Sequence, residues 1–361
     1  MIDKRWIIWG ELCMGDTVVG YVRHNNTTNK WTLDTVAWKA TCKSISEAGA
    51  NAVRILPYGV WDARPNKRRS QFCPYQLDPV TNLWNFGKWN IDYFPIMRKA
   101  FEIANAAGLT VWFPWFDNCQ LVTGYWTKYS PWKNNIHGFK SFYDKRADGY
   151  CKNWIRKCFQ KFGHLDMFWP WGNELANGKN AVDWVGRVIF PMIEELHIPY
   201  DRMTYGFTMD EAAYLGDGKF ADKFTAQDTA RKEFGMTFPP EANKYKVIRE
   251  VHKCGTLPLD DHCPYGHRPA QAAFWWGNKP VGPFVLSDDG VHEWPTSTDG
   301  GRPDAARLKS MAAWAFKYKN CIGIEHIPEG GSVAYQANVF RAISESYRGR
   351  HGKWPINYKK E

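Results

Sequence analysis

YFPIMRKAFEIANAAGLTVWF, residues 93–113, joins an amphipathic segment to a short apolar run. The first part predicts a helix over 93–107 that ends at Gly108, and the apolar run predicts a strand over 109–113. A helix that leads through a glycine turn into a buried strand is the unit of parallel sheets wrapped by helices. This stretch therefore indicates an α/β fold.

The same unit recurs along the chain. Apolar runs predict strands at 6–9, 51–56, 109–113, 166–169, 203–207, 245–251, 283–286 and 321–324. Amphipathic segments predict helices at 33–48, 93–107, 149–162, 181–196, 304–318 and 333–347. Eight strands alternating with helices predict a (β/α)8 TIM barrel that forms one domain over residues 1–361. The alternative is a doubly wound open sheet, but the glycine-rich dinucleotide fingerprint expected after its first strand is absent.

The loops at the two ends of the predicted strands differ in length. Segments 57–92 and 117–148, after the second and third strands, are long and aromatic, whereas the turns on the opposite side are often a single glycine. Barrels carry their sites at the carboxyl ends of the strands, where the long loops lie. We therefore expect the functional site at that end.

Composition is typical of a globular chain, and its high aromatic content fits both a large core and carbohydrate binding. Hydrophobic residues make up 44% of the 361 residues, and aromatic residues make up 16%, including 20 tryptophans. Flat rings with a polar edge suit the faces of sugars, so part of this aromatic content predicts sugar stacking. The net charge of +10 comes mostly from scattered basic residues, without zinc-finger spacing or a basic helix, so we expect no nucleic-acid partner. An acidic polysaccharide substrate is the alternative interpretation of this charge.

Cysteine usage and the N-terminal residues determine the compartment only weakly. Nine cysteines without a Cys-x-x-Cys pair favour buried thiols in a reduced compartment over a disulfide framework. The first residues contain no apolar signal segment, and no long apolar run predicts a membrane span. A secreted chain whose leader has been removed would look the same, so the localisation stays open. We expect a monomer with no membrane partner.

The segment WPWGNE, residues 169–174, follows the predicted fourth strand directly. A barrel strand that ends in Asn-Glu resembles clan A of the glycoside hydrolases, which includes many endoglucanases, mannanases and xylanases. The resemblance implies that Glu174 is the general acid/base and that Asn173 hydrogen-bonds the 2-hydroxyl of the sugar. A carboxyl group among apolar indoles is also suited to holding a proton near neutral pH. The alternative is that Asn-Glu caps the N-terminus of a helix.

A second similarity to these families lies in Asn51-Ala52-Val53-Arg54. It resembles the Asn-x-Val-Arg segment whose arginine supports the nucleophilic carboxylate, which implies that role for Arg54. An arginine inside a barrel needs a fixed anionic partner, because burying an unpaired guanidinium is costly. The alternative is a purely structural ion pair.

The second carboxylate is where the chain departs from the family, whose nucleophile is a glutamate at the end of strand seven. The sequence there is SDDG, residues 287–290, so Asp288 takes the nucleophile position, although Asp-Asp-Gly also fits an ordinary turn. Aspartate is one methylene shorter, which favours the carboxyl spacing of about 6.5–9.5 Å in inverting enzymes over about 5–5.5 Å in retaining ones. Glu325, at the end of strand eight, is the alternative second carboxylate, and we rank Asp288 above it.

Further side chains at the carboxyl ends of strands are expected to bind substrate. His252 matches the histidine of a His-x-Tyr segment on strand six of related hydrolases, although Cys254 replaces the tyrosine and a core histidine is the alternative. Asp117 follows strand three and is expected in the cleft. The tryptophans expected to form sugar-stacking subsites are Trp61, Trp115, Trp171 and Trp294.

Together these residues predict hydrolysis of a β-linked polysaccharide or oligosaccharide by two carboxylates, with no cofactor and no metal. Glu174 protonates the departing oxygen, and Asp288 attacks the anomeric carbon or activates a water. A catalytically inactive carbohydrate-binding barrel is one alternative, suggested by the missing glutamate on strand seven. The other is a metal-dependent barrel hydrolase. Residues 260–267, DDHCPYGH, contain metal-ligand residue types, but the His-x-His that opens such barrels is absent from strand one.

Overall fold

The computed structural model describes residues 6–13, 21–25, 27–58, 72–118, 121, 130–173, 175, 179–206, 248–253, 284–288 and 321–326. In chain order the strands are β1 (Trp6–Cys13), β2 (Val22–Asn25), β3 (Lys30–Leu33), β4 (Ala52–Leu56), β5 (Tyr75–Leu77), β6 (Trp84–Trp89), β7 (Thr110–Trp112), β8 (Met167–Pro170), β9 (Met203–Gly206), β10 (Ile248–Lys253), β11 (Phe284–Asp288) and β12 (Cys321–His326). The α-helices are α1 (Thr35–Glu47), α2 (Tyr93–Ala106), α3 (Asp148–Phe162), α4 (Lys179–Trp184) and α5 (Phe190–Leu196). The helices predicted at 304–318 and 333–347 lie outside the described residues.

Eight of these strands close into a parallel barrel in the order β1-β12-β11-β10-β9-β8-β7-β4. Strand β1 pairs with β12 on one side and with β4 on the other, so the ring of strands has no open edge. The predicted (β/α)8 fold is therefore confirmed. The bounds of the strands differ from the prediction by a few residues, as in β1, which continues to Cys13.

The first helices pack against the outside of the sheet and against each other. Helix α1 begins after Asp34, whose carboxylate accepts a hydrogen bond from the backbone N–H of Ala37 at 3.0 Å. Trp38 then reaches from α1 to α2, where its indole N–H donates to the carbonyl of Ala100 at 2.9 Å. Among the described helices, none combines the length and the apolar character needed to cross a membrane.

The sheet divides the apolar core into two parts. One cluster consists of barrel-strand residues alone and fills the interior of the barrel: Trp6, Ile8, Ala52, Trp112, Phe168 and Val285. Within it, the rings of Trp112 and Phe168 stack with their centroids 4.1 Å apart. Gly323 makes room for Trp6, because a Cβ atom at residue 323 would lie 2.8 Å from the Cβ of Trp6. The larger cluster lies between the strands and the helices.

Two antiparallel hairpins, β2–β3 and β5–β6, add to the predicted architecture. The second hairpin lies in segment 57–92, which the sequence predicts as a loop. Its turn is held by Asp78, whose carboxylate accepts from the backbone N–H of Thr81 at 2.8 Å. Tyr75 and Phe86 of this hairpin are buried, so part of the aromatic content of the long loops is structural.

Candidate active site

The chain segments that follow β7 and β8 stay paired beyond the strands themselves. The N–H of Asn173 donates to the carbonyl of Phe116 at 2.7 Å, and the N–H of Asn118 donates to the carbonyl of Asn173 at 2.9 Å. Asp117 and Asn173 also form a parallel bridge. These bonds hold the backbone immediately before Glu174, which itself lies outside the described residues.

Gly172 is packed too closely to accept a side chain. A Cβ atom at this position would lie 2.4 Å from Cδ2 of Leu175 and 3.2 Å from the carbonyl oxygen of Phe116. Any other residue would therefore displace Leu175 or push the segment away from β7. The glycine of WPWGNE thus helps to position Asn173, a role that the sequence does not reveal because it depends on contacts with the segment after another strand.

The side chains of Asn173 and Asp117 meet at this edge of the barrel. The Nδ2 of Asn173 donates to Oδ1 of Asp117 at 3.3 Å. Asn173 is 0% exposed and Asp117 is 1% exposed, so the two side chains form an enclosed polar pair. The sequence predicts substrate contact for both, but the described structure gives a sugar no access to either side chain.

The anionic partner of Arg54 is Glu325. Arg54 Nη1 and Glu325 Oε2 lie 2.5 Å apart, and neither side chain is exposed. Strand β1 separates them, because Ile8 is in register with Glu325 on one side and with Ala52, two residues before Arg54, on the other. The pair therefore spans three adjacent strands, and removing either charge would take a buried counter-charge away from the other.

The other two predicted site residues of the barrel strands, Asp288 and His252, reach the carboxyl ends of β11 and β10. Asp288 is the last residue of β11 and is in register with His326. The preceding residue, Ser287, is in register with both Glu325 and His252. Asp288 therefore lies one residue, about 3.3 Å, nearer to the carboxyl edge than Glu325 does.

Trp115 and Trp171 are core residues, which corrects the prediction that they form sugar-stacking subsites. Both are 0% exposed, so neither offers an indole face to a sugar ring. The ring of Trp115 lies 5.9 Å from that of Trp169, and its carbonyl accepts from the indole N–H of Trp154 at 2.6 Å. Trp171 packs edge-on against Phe190, with 5.5 Å between the ring centroids. Strand β8 and helix α5 thus supply ring neighbours to the two indoles that the sequence places at strand ends.

The structure does not describe the other residues predicted for the site. Glu174, Trp61, Trp294 and the segment 260–267 lie outside the described residues. Within the described ranges, no group of three or more His, Cys, Asp or Glu side chains could hold a metal ion. Four of the polar residues predicted for the site have enclosed side chains: Arg54, Glu325, Asp117 and Asn173.

Solved structures with a similar fold include glycoside hydrolases of family 5. A variant of a GH5_18 enzyme from Bifidobacterium longum, in complex with Manβ1-4GlcNAc, matches with a TM-score of 0.56 and 16% identity over 89% of this chain and 75% of its own. The endo-β-1,4-mannanase of Thermotoga petrophila matches with a TM-score of 0.55 and 13% identity over 97% of this chain and 78% of its own. A variant of a family 5 enzyme from Prevotella bryantii, in complex with a xyloglucan tetradecasaccharide, matches with a TM-score of 0.54 and 12% identity over 96% of this chain and 97% of its own. This chain has their fold.

No family model and no curated protein matches the sequence. At identities of 12–16% the likeness to the solved structures is one of fold. The chemistry of this chain therefore has to be argued from its own residues.

Proposed function

We propose that this protein is a glycoside hydrolase that cleaves β-linked polysaccharides or oligosaccharides, with Glu174 as the proton donor. The proposal rests on the position of Asn173, which is bonded to the segment after β7 at the carboxyl edge of a closed barrel and directly precedes Glu174. Barrel enzymes hold their catalytic groups at this edge. The glycoside hydrolases that share the fold support the same function.

An acid at Glu174 needs surroundings that keep its proton. Trp169 and Trp171, which precede it in the chain, are 3% and 0% exposed and pack in the cluster between the strands and the helices, so we propose that other side chains of the cleft supply the apolar surroundings of the acid. Apolar surroundings disfavour the charged form of a carboxyl group, which keeps a proton available near neutral pH. In the proposed step this proton passes to the glycosidic oxygen while the bond from that oxygen to the anomeric carbon breaks.

Asp288 is the proposed second carboxylate, and Glu325 the proposed support of Arg54. A nucleophile or base must touch the sugar or its attacking water, whereas the Glu325 side chain is enclosed and paired with Arg54. Asp288 ends β11 one residue nearer to the carboxyl edge, where a substrate arrives. Asp288 either attacks the anomeric carbon or activates a water, and the spacing between the two carboxylates decides which.

The proposed substrate class follows from the related folds and from residues at the same edge. Complexes with Manβ1-4GlcNAc and with a xyloglucan oligosaccharide are known for two of the similar structures. His252 is proposed to contact a hydroxyl or a carboxylate, and Trp61 and Trp294 are proposed to stack on sugar rings. We propose a neutral β-linked glycan first, with an acidic one as the alternative suggested by the net charge of +10.

A substrate screen with the Glu174→Gln variant tests the proposal. Mannan, xyloglucan, β-glucan and xylan are incubated with wild-type protein, and the release of reducing sugar is measured. The variant should lose about 10²–10⁴-fold in kcat/KM, because an amide has no acidic proton to give. Glu47→Gln, on the exposed end of α1, is the control and should retain full activity.

The outcomes of this screen distinguish the proposed function from its alternatives. Equal rates for Glu174→Gln and wild type would end the proposal. Glycan binding without any hydrolysis would favour the carbohydrate-binding barrel, and loss of activity with a chelator would favour the metal-dependent hydrolase. NMR of the first-formed anomer then assigns the mechanism, since retention requires attack by a nucleophile, Asp288 or a substitute, and inversion requires a water.

A further inference from the structure

The imidazole of His137 lies among three aromatic rings that come from three parts of the chain. It is 5.8 Å from the ring of Phe86 and 5.5 Å from that of Phe139, both nearly parallel to it, and 4.8 Å from the ring of Tyr150. Phe86 belongs to β6, Phe139 to the segment after β7, and Tyr150 to α3. We propose that this cluster is a pH-sensitive contact, which holds residues 136–139 against β6 and α3 while His137 is neutral and loosens when His137 takes up a proton.

The rings attach the end of this segment to its neighbours. The backbone N–H of Ile136 donates to the carbonyl of Trp84 in β6 at 3.0 Å. Beyond it, the N–H of Phe139 donates to Oδ1 of Asn135 at 3.0 Å, which is a bond within the segment itself. This end of the segment therefore meets β6 and α3 through the rings of His137 and Phe139.

The two ring nitrogens of His137 have different surroundings. Nδ1 lies 3.4 Å from the hydroxyl oxygen of Tyr150, with which it can share a hydrogen bond. Nε2 is enclosed and has no hydrogen-bond partner among the described residues. A neutral imidazole can leave Nε2 without a proton, whereas an imidazolium carries a proton on both nitrogens. Protonation would therefore bury a charged N–H that has no acceptor, which is costly.

The charged groups near the cluster do not offset this cost. The guanidinium of Arg146, in the turn just before α3, lies 5.6 Å from the centre of the Phe139 ring and is paired with Asp144. The cluster thus already carries one cation, and the neighbouring carboxylate is engaged with it. Among the described residues, no carboxylate forms an ion pair with His137, so nothing charged stabilises an imidazolium at this position.

The uncharged groups that face His137 do not offset the cost either. From α3 this group is the Tyr150 hydroxyl, which reaches only Nδ1, and from β6 it is the ring of Phe86. At 5.5–5.8 Å the two phenyl rings are close to the limit of about 6 Å for an attraction to a cation. Burial accordingly lowers the pKa of His137 from its ordinary value of 6.5.

The sign of the pH dependence follows from this direction. Because the pKa of His137 is lower in the folded protein than in the unfolded chain, the stabilisation is complete above about pH 6.5 and is lost as the pH falls below that value. Residues 136–139 lie between β7 and α3, so their loosening would change the loop that follows a barrel strand at its carboxyl end. The inference concerns this part of the fold and does not depend on the proposed hydrolysis.

NMR and amide hydrogen exchange on the full-length protein test the inference. Titration of the Cε1 proton of His137 should give a pKa below 6.5. The amides of Ile136 and Phe139 report on the segment, through protection factors that are corrected for the intrinsic pH dependence of exchange. Their protection should fall by at least about threefold between about pH 7 and pH 5, since uptake of one proton allows at most about tenfold per pH unit.

Variants assign the effect to one side chain. His137→Phe keeps a flat ring without a titrating group, so the protection of the two amides should stay constant over the same pH range. His137→Gln, which is also uncharged at every pH, repeats the test with a polar side chain. His24→Phe is the matched control, because His24 is also half-buried and lies against an indole, with 4.7 Å between its ring and that of Trp31. In this control the protection of the two amides should fall as in the wild type.

The outcomes separate this inference from the proposed function. A pKa of His137 at or above 6.5, or protection of Ile136 and Phe139 that does not change with pH in the wild type, would overturn the pH-sensitive contact. An equal fall in protection in His137→Phe and His137→Gln would overturn it as well. None of these results bears on hydrolysis, and a Glu174→Gln variant as active as the wild type would end the proposed function while leaving this inference in place.

Discussion

Arg54 and Glu325 form an ion pair inside the barrel, with 2.5 Å between Nη1 and Oε2 and with neither side chain exposed. The pair joins β4 to β12 across β1, where the last strand of the barrel meets the first. The two residues therefore connect the strands on both sides of the point of closure. Breaking a buried pair by removing one charge is costly, so the effect of this pair on stability can be measured apart from the proposed chemistry at Glu174.

Replacing Glu325 by glutamine should lower the free energy of unfolding by about 3–5 kcal/mol, because Arg54 loses a buried counter-charge. Urea denaturation followed by tryptophan fluorescence measures the change. Glu102→Gln is the control, since it breaks an ion pair with Arg98 in which both side chains are at least 36% exposed, and it should cost less than about 1 kcal/mol. Equal losses in the two variants would contradict a structural role for the buried pair.

Replacing Asp288 by asparagine should lower kcat/KM by about 10²–10⁴-fold, because an amide is neither a base nor a nucleophile. Asp289→Asn changes the neighbouring carboxylate and should leave most of the activity. Hydrolysis of the best glycan from the screen is measured for both variants and for Glu325→Gln at a temperature where all are folded. Full activity in Asp288→Asn with loss in Glu325→Gln would reverse the roles proposed for these two residues.

Replacing Gly172 by alanine should reduce both stability and activity. The added Cβ meets Leu175 at 2.4 Å, and overpacking of this kind costs about 1–3 kcal/mol. Shortening the neighbour in Gly172→Ala/Leu175→Ala should restore part of the activity. Gly149→Ala is the control, because nothing lies within 4 Å of an added Cβ there, and it should leave kcat unchanged. A kcat for Gly172→Ala equal to that of the wild type would show that the close contact with Leu175 is not needed for the activity proposed for Glu174.

The unfolding free energy should fall at alkaline pH through buried thiols such as Cys42. Burial raises the pKa of Cys42 to about 12, whereas the thiol of an unfolded chain ionises near its ordinary value of 9.0. This contribution to stability is therefore complete below about pH 9 and is lost as the pH rises towards 12. In Cys42→Ala the decline in unfolding free energy between pH 9 and 11 should be shallower by up to about 1.4 kcal/mol per pH unit. Parallel declines in the two proteins would contradict this assignment.

The barrel can be predicted because each of its strands and helices follows from a local pattern in the sequence. In the stretch 93–113, helix α2 and strand β7 lie within one residue of the predicted bounds. The helix predicted over 181–196 shows the limit of such patterns, because a π-helical segment, Val185–Ile189, interrupts it. Such a segment changes the hydrogen-bond spacing by one residue and leaves the amphipathic pattern nearly intact.

The sequence does not reveal which side chains meet when their strands are far apart along the chain. Arg54 is predicted to need an anion and Glu325 is the alternative second carboxylate ranked below Asp288, yet the closure of the barrel brings the two together across 271 positions of sequence. The pairing of Asp117 with Asn173 is hidden for the same reason. Neither residue type nor periodicity determines which side chains meet at the edge of a closed sheet.

The tryptophans show a related limit. A sequence rich in indoles suits both a sugar cleft and a large core, and composition does not separate the two. Seven of the 20 tryptophans are among the largest fully buried side chains: Trp38, Trp112, Trp115, Trp132, Trp154, Trp171 and Trp184. Much of the aromatic content therefore serves packing, and Trp61 and Trp294 are the two tryptophans for which sugar stacking remains a proposal.

The aromatic cluster of Trp6, Trp112 and Phe168 occupies the axis of the barrel. In the part of the protein that the structure describes, a glycan has no through-passage along this axis. Substrate binding and product release in the proposed hydrolysis would therefore both have to take place at the carboxyl end of the strands.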